Sequence, residues 1–253
     1  MSNPVPDNWY ETFFSGINCE MWERAGTDDW TEKEVSFLID VMNMRRGAGI
    51  LDIPCGTGRH AIRLAKNGFN LTCVDISEEF ISGLTHRVKE ENLSIQVIQG
   101  NILSLDLTGS FDGAFCLGNA FGYLDYKGMT VFIKKVAACL KPGSRFIINS
   151  GMVAESILPK IPGEKTYTLG DLSMQVNNEY VVSDSYMVSH LKYTKNKHSE
   201  THSFKHYVYT IGEIKRLLGL FDLSILAMYN AVDKTAYKLG DQQVYLVAEK
   251  IIK

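Results

Sequence analysis

Apolar residues in the first half of the chain alternate between two spacings. Between Val35 and Met42 they recur every three or four residues, and Thr31 with Glu34 forms the pattern of a capping box, so a helix is predicted to begin there. A run of apolar residues at 50–53 follows two glycines and predicts a buried strand. The further strands predicted in this region are 71–74, 95–98, 114–117 and 146–148.

Helical patterns separate these strands. One begins near Arg59, a second follows Ser77, and a third ends before Pro142. Buried strands that alternate with amphipathic helices are typical of a parallel sheet covered by helices on both faces. The expected fold class is therefore α/β, with a doubly wound, mostly parallel sheet that binds its ligand at the carboxyl ends of the strands.

A different pattern occupies residues 151–209. Polar and apolar positions alternate there, and short polar turns such as 195–197 separate the runs, which predicts an inserted antiparallel β meander. A second capping-box pattern at Thr210 predicts one more helix. Two strands near 223–228 and 244–248 complete the chain.

Composition limits the classes of partner. The 253 residues include 45% hydrophobic and 22% charged residues, which is ordinary for a globular protein. The net charge is −3, with no dense basic run, which argues against a nucleic-acid partner. No apolar stretch approaches the roughly 18 residues of a membrane span, and residues 1–7 lack the basic and apolar regions of a signal peptide. We therefore expect no membrane association.

Cysteine and histidine usage gives two further expectations. The five cysteines are odd in number and widely spaced, which favours reduced core residues in a cytoplasmic protein. His198, His202 and His206 have helical i, i+4 spacing but fall in an alternating segment. An exposed strand is therefore expected there, and no metal site is predicted.

The candidate chemistry lies where the first strand meets its helix. Gly56 and Gly58 permit a tight turn whose backbone a ligand can approach. With Ala61 this turn also fits the dinucleotide fingerprint, but Asp52 just before it would repel a pyrophosphate and suits an ammonium group. Asp75, at the end of the second strand, is the expected acceptor for two ribose hydroxyls. The residues thus indicate a ligand with a ribose and a cationic end.

At this point the sequence resembles the class I S-adenosylmethionine-dependent methyltransferases. Further markers of the family follow in order: Gly100-Asn101-Ile102 in place of the usual Gly-Asp, a strand-four end at 117–123, and a Leu-x-Pro-Gly lead at 140–146. The resemblance implies a Rossmann-like seven-stranded sheet with an antiparallel last strand, and S-adenosylmethionine as cofactor. The cofactor-binding residues it implies are Asp52, Cys55, Gly56, Thr57, Gly58, Asp75, Ile76, Asn101, Ile102, Leu117, Gly118 and Asn119.

The aromatic N-terminal region and the Gly58-Arg59-His60 stretch are similar to a branch of mostly uncharacterised bacterial methyltransferases. The expected division of the chain is a lid segment (1–30), a cofactor-binding domain (31–150 with 210–253) and an acceptor-shaping insertion (151–209). The residues expected to contact the acceptor or form the lid are Tyr10, Trp22, Phe121 and Tyr123.

The expected reaction is methyl transfer to a small-molecule acceptor by in-line displacement, which depends mainly on proximity and orientation. Should the acceptor need a general base, His60, Tyr123 and His206 are candidates. Two alternatives stay open from the sequence: an NAD-type oxidoreductase on the same sheet, and a non-catalytic binding module. An exposed strand edge in the meander could also pair two subunits as a homodimer.

Overall fold

The computed structural model describes residues 5–196 and 198–252, so residues 1–4 of the expected lid and Lys197 of the predicted 195–197 turn lie outside it. The strands are β1 (Gly49–Asp52), β2 (Asn70–Asp75), β3 (Ile95–Gln99), β4 (Phe111–Cys116), β5 (Leu140–Ser150), β6 (Lys165–Leu169), β7 (Leu172–Val181), β8 (Tyr186–Lys195), β9 (His198–Tyr207), β10 (Leu223–Tyr229) and β11 (Val244–Lys250). The α-helices are α1 (Tyr10–Phe13), α2 (Ile17–Ala25), α3 (Asp28–Met42), α4 (Arg59–Lys66), α5 (Glu78–Glu90), α6 (Tyr126–Cys139), α7 (Ala154–Ile157) and α8 (Ile211–Gly219).

The larger sheet has seven strands in the order β10-β11-β5-β4-β1-β2-β3. Strands β1 to β5 pair in parallel, and β11 pairs antiparallel with both β5 and β10. This confirms the predicted α/β, Rossmann-like sheet with its antiparallel last strand. Because β1 lies between β2 and β4 and all three run parallel, the loops after these strands meet at one edge of the sheet.

Two buried clusters cover the two faces of this sheet. Side chains of α6 and α8 pack on one face around Phe146, and side chains of α3 and α4 pack on the other around Ile50. Burial on both faces explains why the parallel strands are almost continuously apolar. None of the described helices is long and apolar enough to cross a bilayer.

The inserted segment forms a second, antiparallel sheet in the order β6-β7-β8-β9, as the alternating pattern predicted. Its buried face packs on the aromatic N-terminal region, where Trp9 and Phe13 meet Phe204 at ring-centroid distances of 5.3 and 5.2 Å. Ion pairs from α2 reinforce this contact: Arg24 reaches Asp171 at 2.6 Å. The N-terminal helices therefore connect the insertion to the larger sheet.

The structure corrects several local predictions. Helix α3 begins one turn earlier than predicted, because the Thr27 hydroxyl accepts from the Trp30 N–H and two aspartates follow in the first turn. Thr31 and Glu34 therefore lie inside the helix and form no capping box, whereas the capping box at Thr210 is confirmed. The last corrections are that β5 already begins at Leu140 and that the short helix α7 lies in the region read as purely alternating.

Candidate functional site

The turn between β1 and α4 has the backbone that its glycines predict. Gly56 and Gly58 have φ of +52° and +70°, values that favour glycine. A Cβ on Gly58 would approach the Leu84 side chain to 2.5 Å, while a Cβ on Gly56 would meet nothing within 4 Å. Gly58 is therefore needed for packing against α5, and Gly56 leaves open space beside the loop.

Asp52 ends β1 beneath this turn and is only 2% exposed. Its Oδ2 atom is buried without a hydrogen-bond partner among the described residues. Burial, together with the nearby charge of Asp75, raises the pKa of the Asp52 carboxyl well above its ordinary value. A buried carboxylate oxygen without a donor is costly to maintain, so it indicates a missing cationic or donor group.

Asp75 ends β2 and holds the same turn in place. Its Oδ2 accepts from the Gly56 N–H at 2.7 Å, and its Oδ1 accepts from the Ser77 N–H at 2.9 Å. Burial raises the pKa of Asp75, although these backbone hydrogen bonds oppose the shift. The carboxylate thus shapes the loop and also faces the cavities beside it.

Two adjoining cavities open at this edge of the sheet, and Asp75 and Tyr123 line both. The larger, of about 340 Å³, is lined by Phe14, Trp22, Ala25, Gly26, Trp30, Asp52, Pro54, Cys55, Gly56, Thr57, Arg59, His60, Asp75, Ile76, Phe80, Leu117, Gly118, Ala120 and Tyr123. The smaller, of about 80 Å³, is lined by Tyr10, Ile53, Pro54, Val74, Asp75, Ile76, Gly100, Asn101, Ile102, Cys116, Ala120, Phe121, Tyr123, Leu124, Met129 and Phe132.

Most of the residues expected at the site therefore come together, and two of them have other contacts. The Asn101 amide oxygen accepts from the Leu103 N–H at 2.9 Å, and its nitrogen donates to Glu11 at 3.2 Å. The Asn119 oxygen accepts from the Gly151 N–H at 2.8 Å, at the end of β5. Asn101 still lines the smaller cavity, whereas Asn119 is absent from both linings and connects two loops.

The N-terminal region covers the cavities through specific hydrogen bonds. The Ser77 hydroxyl donates to the Phe14 carbonyl at 2.9 Å, and the Gly16 N–H donates to Glu79 at 2.8 Å. With the contact between Glu11 and Asn101, these bonds fix α1 over the ends of β2 and β3. Tyr10 thereby becomes part of the wall of the smaller cavity.

A buried polar network adjoins the larger cavity, and the sequence did not reveal it. Glu34 is 2% exposed and accepts hydrogen bonds from Arg59 at 2.6 Å, His60 at 2.8 Å and the Tyr245 hydroxyl at 2.9 Å. Although burial acts in the opposite direction, the hydrogen bond from His60 and the charge of Arg59 lower the pKa of Glu34 to about 2. The sequence does place the charged Glu34 among the apolar positions of α3, which could have indicated a buried charge. Interpreting Thr31 and Glu34 as a capping box gave this residue a different role.

The three candidate bases occupy different surroundings. His60 lines the larger cavity, and burial lowers its pKa despite the Glu34 carboxylate. Tyr123 lines both cavities, and burial raises the pKa of its hydroxyl. His206 is 1% exposed, so it does not lie on an exposed strand face as expected. Its Nε2–H donates to the Phe121 carbonyl at 2.7 Å, and burial lowers its pKa to about 4. It packs behind Tyr123, outside both linings.

Cys55 borders the larger cavity without the features of a nucleophile. Its hydrogen bond with Cys73 and its burial both raise the pKa of the Cys55 thiol. The thiol form is therefore favoured, and the thiolate required of a nucleophile is disfavoured.

Comparison with known proteins decides the family. Residues 50–143 match the model of the methyltransferase domain. Glycine N-methyltransferase from Rattus norvegicus is 27% identical over 212 residues, which are 75% of this chain and 70% of the relative. The chain belongs to the class I S-adenosylmethionine-dependent methyltransferases.

Solved methyltransferase structures share this fold over nearly the whole chain. The CcbJ methyltransferase from Streptomyces caelestis has a TM-score of 0.81 at 14% identity and covers 96% of this chain and 99% of its own. CalS10 from Micromonospora echinaspora, an amino pentose methyltransferase, has a TM-score of 0.71 at 14% identity, with coverages of 93% and 97%. Because residues 50–143 match the methyltransferase domain and the relatives are named methyltransferases, the chain is an S-adenosylmethionine-dependent methyltransferase. The oxidoreductase and non-catalytic alternatives are set aside.

Proposed function

We propose that this methyltransferase transfers a methyl group from S-adenosylmethionine to the amine nitrogen of a small molecule. The observation that supports nitrogen is the set of titratable groups at the cavities: two buried carboxylates, a tyrosine with a raised pKa, and a histidine held by Glu34. Two buried carboxylates suit a ligand that bears an ammonium group, and an amine needs none of these groups as a general base, because it loses its extra proton to water and is then nucleophilic. The names of two relatives, glycine N-methyltransferase and an amino pentose methyltransferase, also give amine-bearing small molecules.

The lining residues fit S-adenosylmethionine. The partnerless oxygen of Asp52 suits the methionyl ammonium, and the open space at Gly56 suits the methionyl chain beside the loop. Asp75 is suited to the ribose hydroxyls. Arg59 is the cationic residue among those described as lining the larger cavity, and its guanidinium suits the methionyl carboxylate. Ile76, Asn101 and Ile102 line the smaller cavity, which would take the adenine.

In the reaction, a nitrogen lone pair forms a bond to the methyl carbon while the carbon–sulfur bond breaks and its electron pair stays on sulfur. The protein contributes position, which is worth about 7–11 kcal/mol in well-oriented reactions. Tyr123 is placed for this role, because it lines both cavities and its ring packs against Trp9 at 5.0 Å and His206 at 5.2 Å. The insertion thereby shapes the acceptor side through β9.

The function is tested by replacing the carboxylate proposed to hold the ammonium group. Asp52→Asn is expected to lower the affinity for S-adenosylhomocysteine by about tenfold or more, since hydrogen bonds to charged groups contribute about 1.5–3 kcal/mol. Adenosine lacks the amino acid part, so its affinity should be nearly unchanged. Because burial raises the pKa of Asp52, affinity in the wild type should increase with pH, and the variant should lose this dependence. Calorimetry with both ligands gives these values, and equal losses for the two ligands would contradict the assignment.

The N-terminal segment is proposed to act as a lid that opens for cofactor exchange. Glu11→Ala removes the contact between α1 and Asn101, so S-adenosylhomocysteine should dissociate several-fold faster while the fold stays intact. Glu90→Ala, an exposed change at the far end of α5, is the matched control. Stopped-flow dissociation measures both rates, and identical rates in the two variants would show that α1 does not gate the site.

The division into lid (1–30), cofactor-binding domain (31–150 with 210–253) and insertion (151–209) remains part of this proposal, as do a homodimer and a cytoplasmic location. Support for the dimer is the edge strand β6, where Tyr167 is 45% exposed. Support for a reducing compartment is that all five cysteines are free and buried. Sedimentation velocity would decide the oligomeric state.

A further inference from the structure

The lining of the methyl-transfer cavities is unevenly charged. Among the described lining residues of both cavities the acidic groups are Asp52 and Asp75, and the one cationic group is Arg59. Arg59 is already engaged, because its guanidinium donates to Glu34 at 2.6 Å and to the Thr31 hydroxyl at 2.8 Å. In the proposed function its remaining hydrogen-bonding capacity serves the methionyl carboxylate. An acceptor that entered with its own carboxylate would find no further cation.

Five aromatic side chains also line the larger cavity. Phe14, Trp22, Trp30, Phe80 and Tyr123 contribute rings to it. Trp22 and Trp30 are 39% and 37% exposed, so they lie at the side open to solvent. Aromatic faces attract ammonium groups and repel anions, because the ring quadrupole is negative at the face. An entrance with two tryptophans therefore favours cationic and neutral ligands over anionic ones.

We infer that the acceptor is an amine whose carbon skeleton inside the cavity carries no carboxylate or other anionic group. This inference rests on the proposed function and narrows its substrate class. A desolvated carboxylate without a partner is strongly unfavourable, so α-amino acids are disfavoured even though their nitrogen is nucleophilic. Amines on neutral skeletons, such as amino alcohols, arylalkylamines and amino sugars, meet no such penalty.

The experiment compares amines that differ only in the anionic group. Ethanolamine is paired with glycine, and 2-phenylethylamine with phenylalanine. Binding is measured by calorimetry to the protein saturated with S-adenosylhomocysteine, and turnover with methyl-labelled S-adenosylmethionine. In each pair the member without a carboxylate should bind at least tenfold more tightly and react faster. Equal affinity, tighter binding of glycine or phenylalanine, or binding of none of the four amines would overturn the inference.

A variant that adds a cation provides a second test. Trp22→Arg places a positive charge in the lining, so the discrimination against glycine and phenylalanine should decrease at least fivefold. Trp22→Gln removes the same ring without adding a charge, so it should lower the carboxylate discrimination much less than Trp22→Arg does. An unchanged discrimination in Trp22→Arg that still binds S-adenosylhomocysteine would also overturn the inference. Failure of S-adenosylhomocysteine to bind the wild-type protein would instead contradict the proposed function itself.

Discussion

Replacing Asp75 with Ala is expected to weaken the binding of S-adenosylhomocysteine by roughly ten- to a hundredfold or more. Removing a charged acceptor from hydrogen bonds costs about 1.5–3 kcal/mol, and two ribose hydroxyls are proposed to donate to this carboxylate. The same change removes the acceptors of the Gly56 and Ser77 N–H groups, so the loop itself is affected. Calorimetry on folded variant protein measures the total loss.

The two contributions of Asp75 can be separated by changing the ligand as well as the protein. S-adenosylhomocysteine is compared with its 2′-deoxy analogue, in both the wild type and Asp75→Ala. If the carboxylate holds the ribose, the wild type should lose affinity for the deoxy compound, while the variant should bind the two ligands almost equally. Ser77→Ala is the matched control, because it changes the neighbouring cap and leaves the carboxylate in place. An equal loss for both ligands in Asp75→Ala would mean that Asp75 acts only by shaping the loop.

The parts of the site that follow strand ends could be predicted from the sequence. Asp52 and Asp75 each terminate a buried parallel strand, and topology alone brings such residues to one edge of the sheet. The glycines between β1 and α4 likewise need backbone conformations that few other residues adopt. Local pattern and global fold agree at these positions, so the local sequence alone predicts where these residues lie.

Residues whose roles depend on distant contacts could not be predicted in the same way. Glu34 meets Tyr245, which is 211 positions away, and nothing in the local sequence of α3 indicates this partner. Asn119 follows β4, and the family resemblance implies that it binds the cofactor, yet its side chain accepts a hydrogen bond from Gly151 at the end of β5. His206 lies in an alternating segment that predicts exposure on one face, and only the packing of α1 and Tyr123 determines which face is buried.

Replacing Glu34 with Gln should destabilise the protein by about 3 kcal/mol at neutral pH. Removing one partner of a buried ion pair leaves the other charge uncompensated, and here Arg59 is the partner that remains. His60 and the Tyr245 hydroxyl also lose a charged acceptor. Urea unfolding measures the change, which for a chain of this size corresponds to roughly 6–12 °C in Tm. Glu32→Gln, the same substitution at an exposed position of α3 paired with Arg63, should stay within about 0.5 kcal/mol of the wild type.

The pH dependence of this difference shows whether the Glu34 charge is responsible. The pKa of Glu34 is lowered from 4.5 to about 2 in the folded protein, so its carboxylate contributes stability above the unfolded value and loses that contribution as the pH falls from 4.5 toward 2. The difference in unfolding free energy between the wild type and Glu34→Gln should therefore be constant from pH 7 to pH 5 and decrease below pH 4.5. Urea titrations at pH 7, 5, 4 and 3 measure it. At pH 3 the carboxyl is largely protonated in the unfolded chain but still ionised in the folded protein, so the charge contribution must already have decreased. A difference that persists unchanged at pH 3 would indicate that the lost stability comes from altered packing.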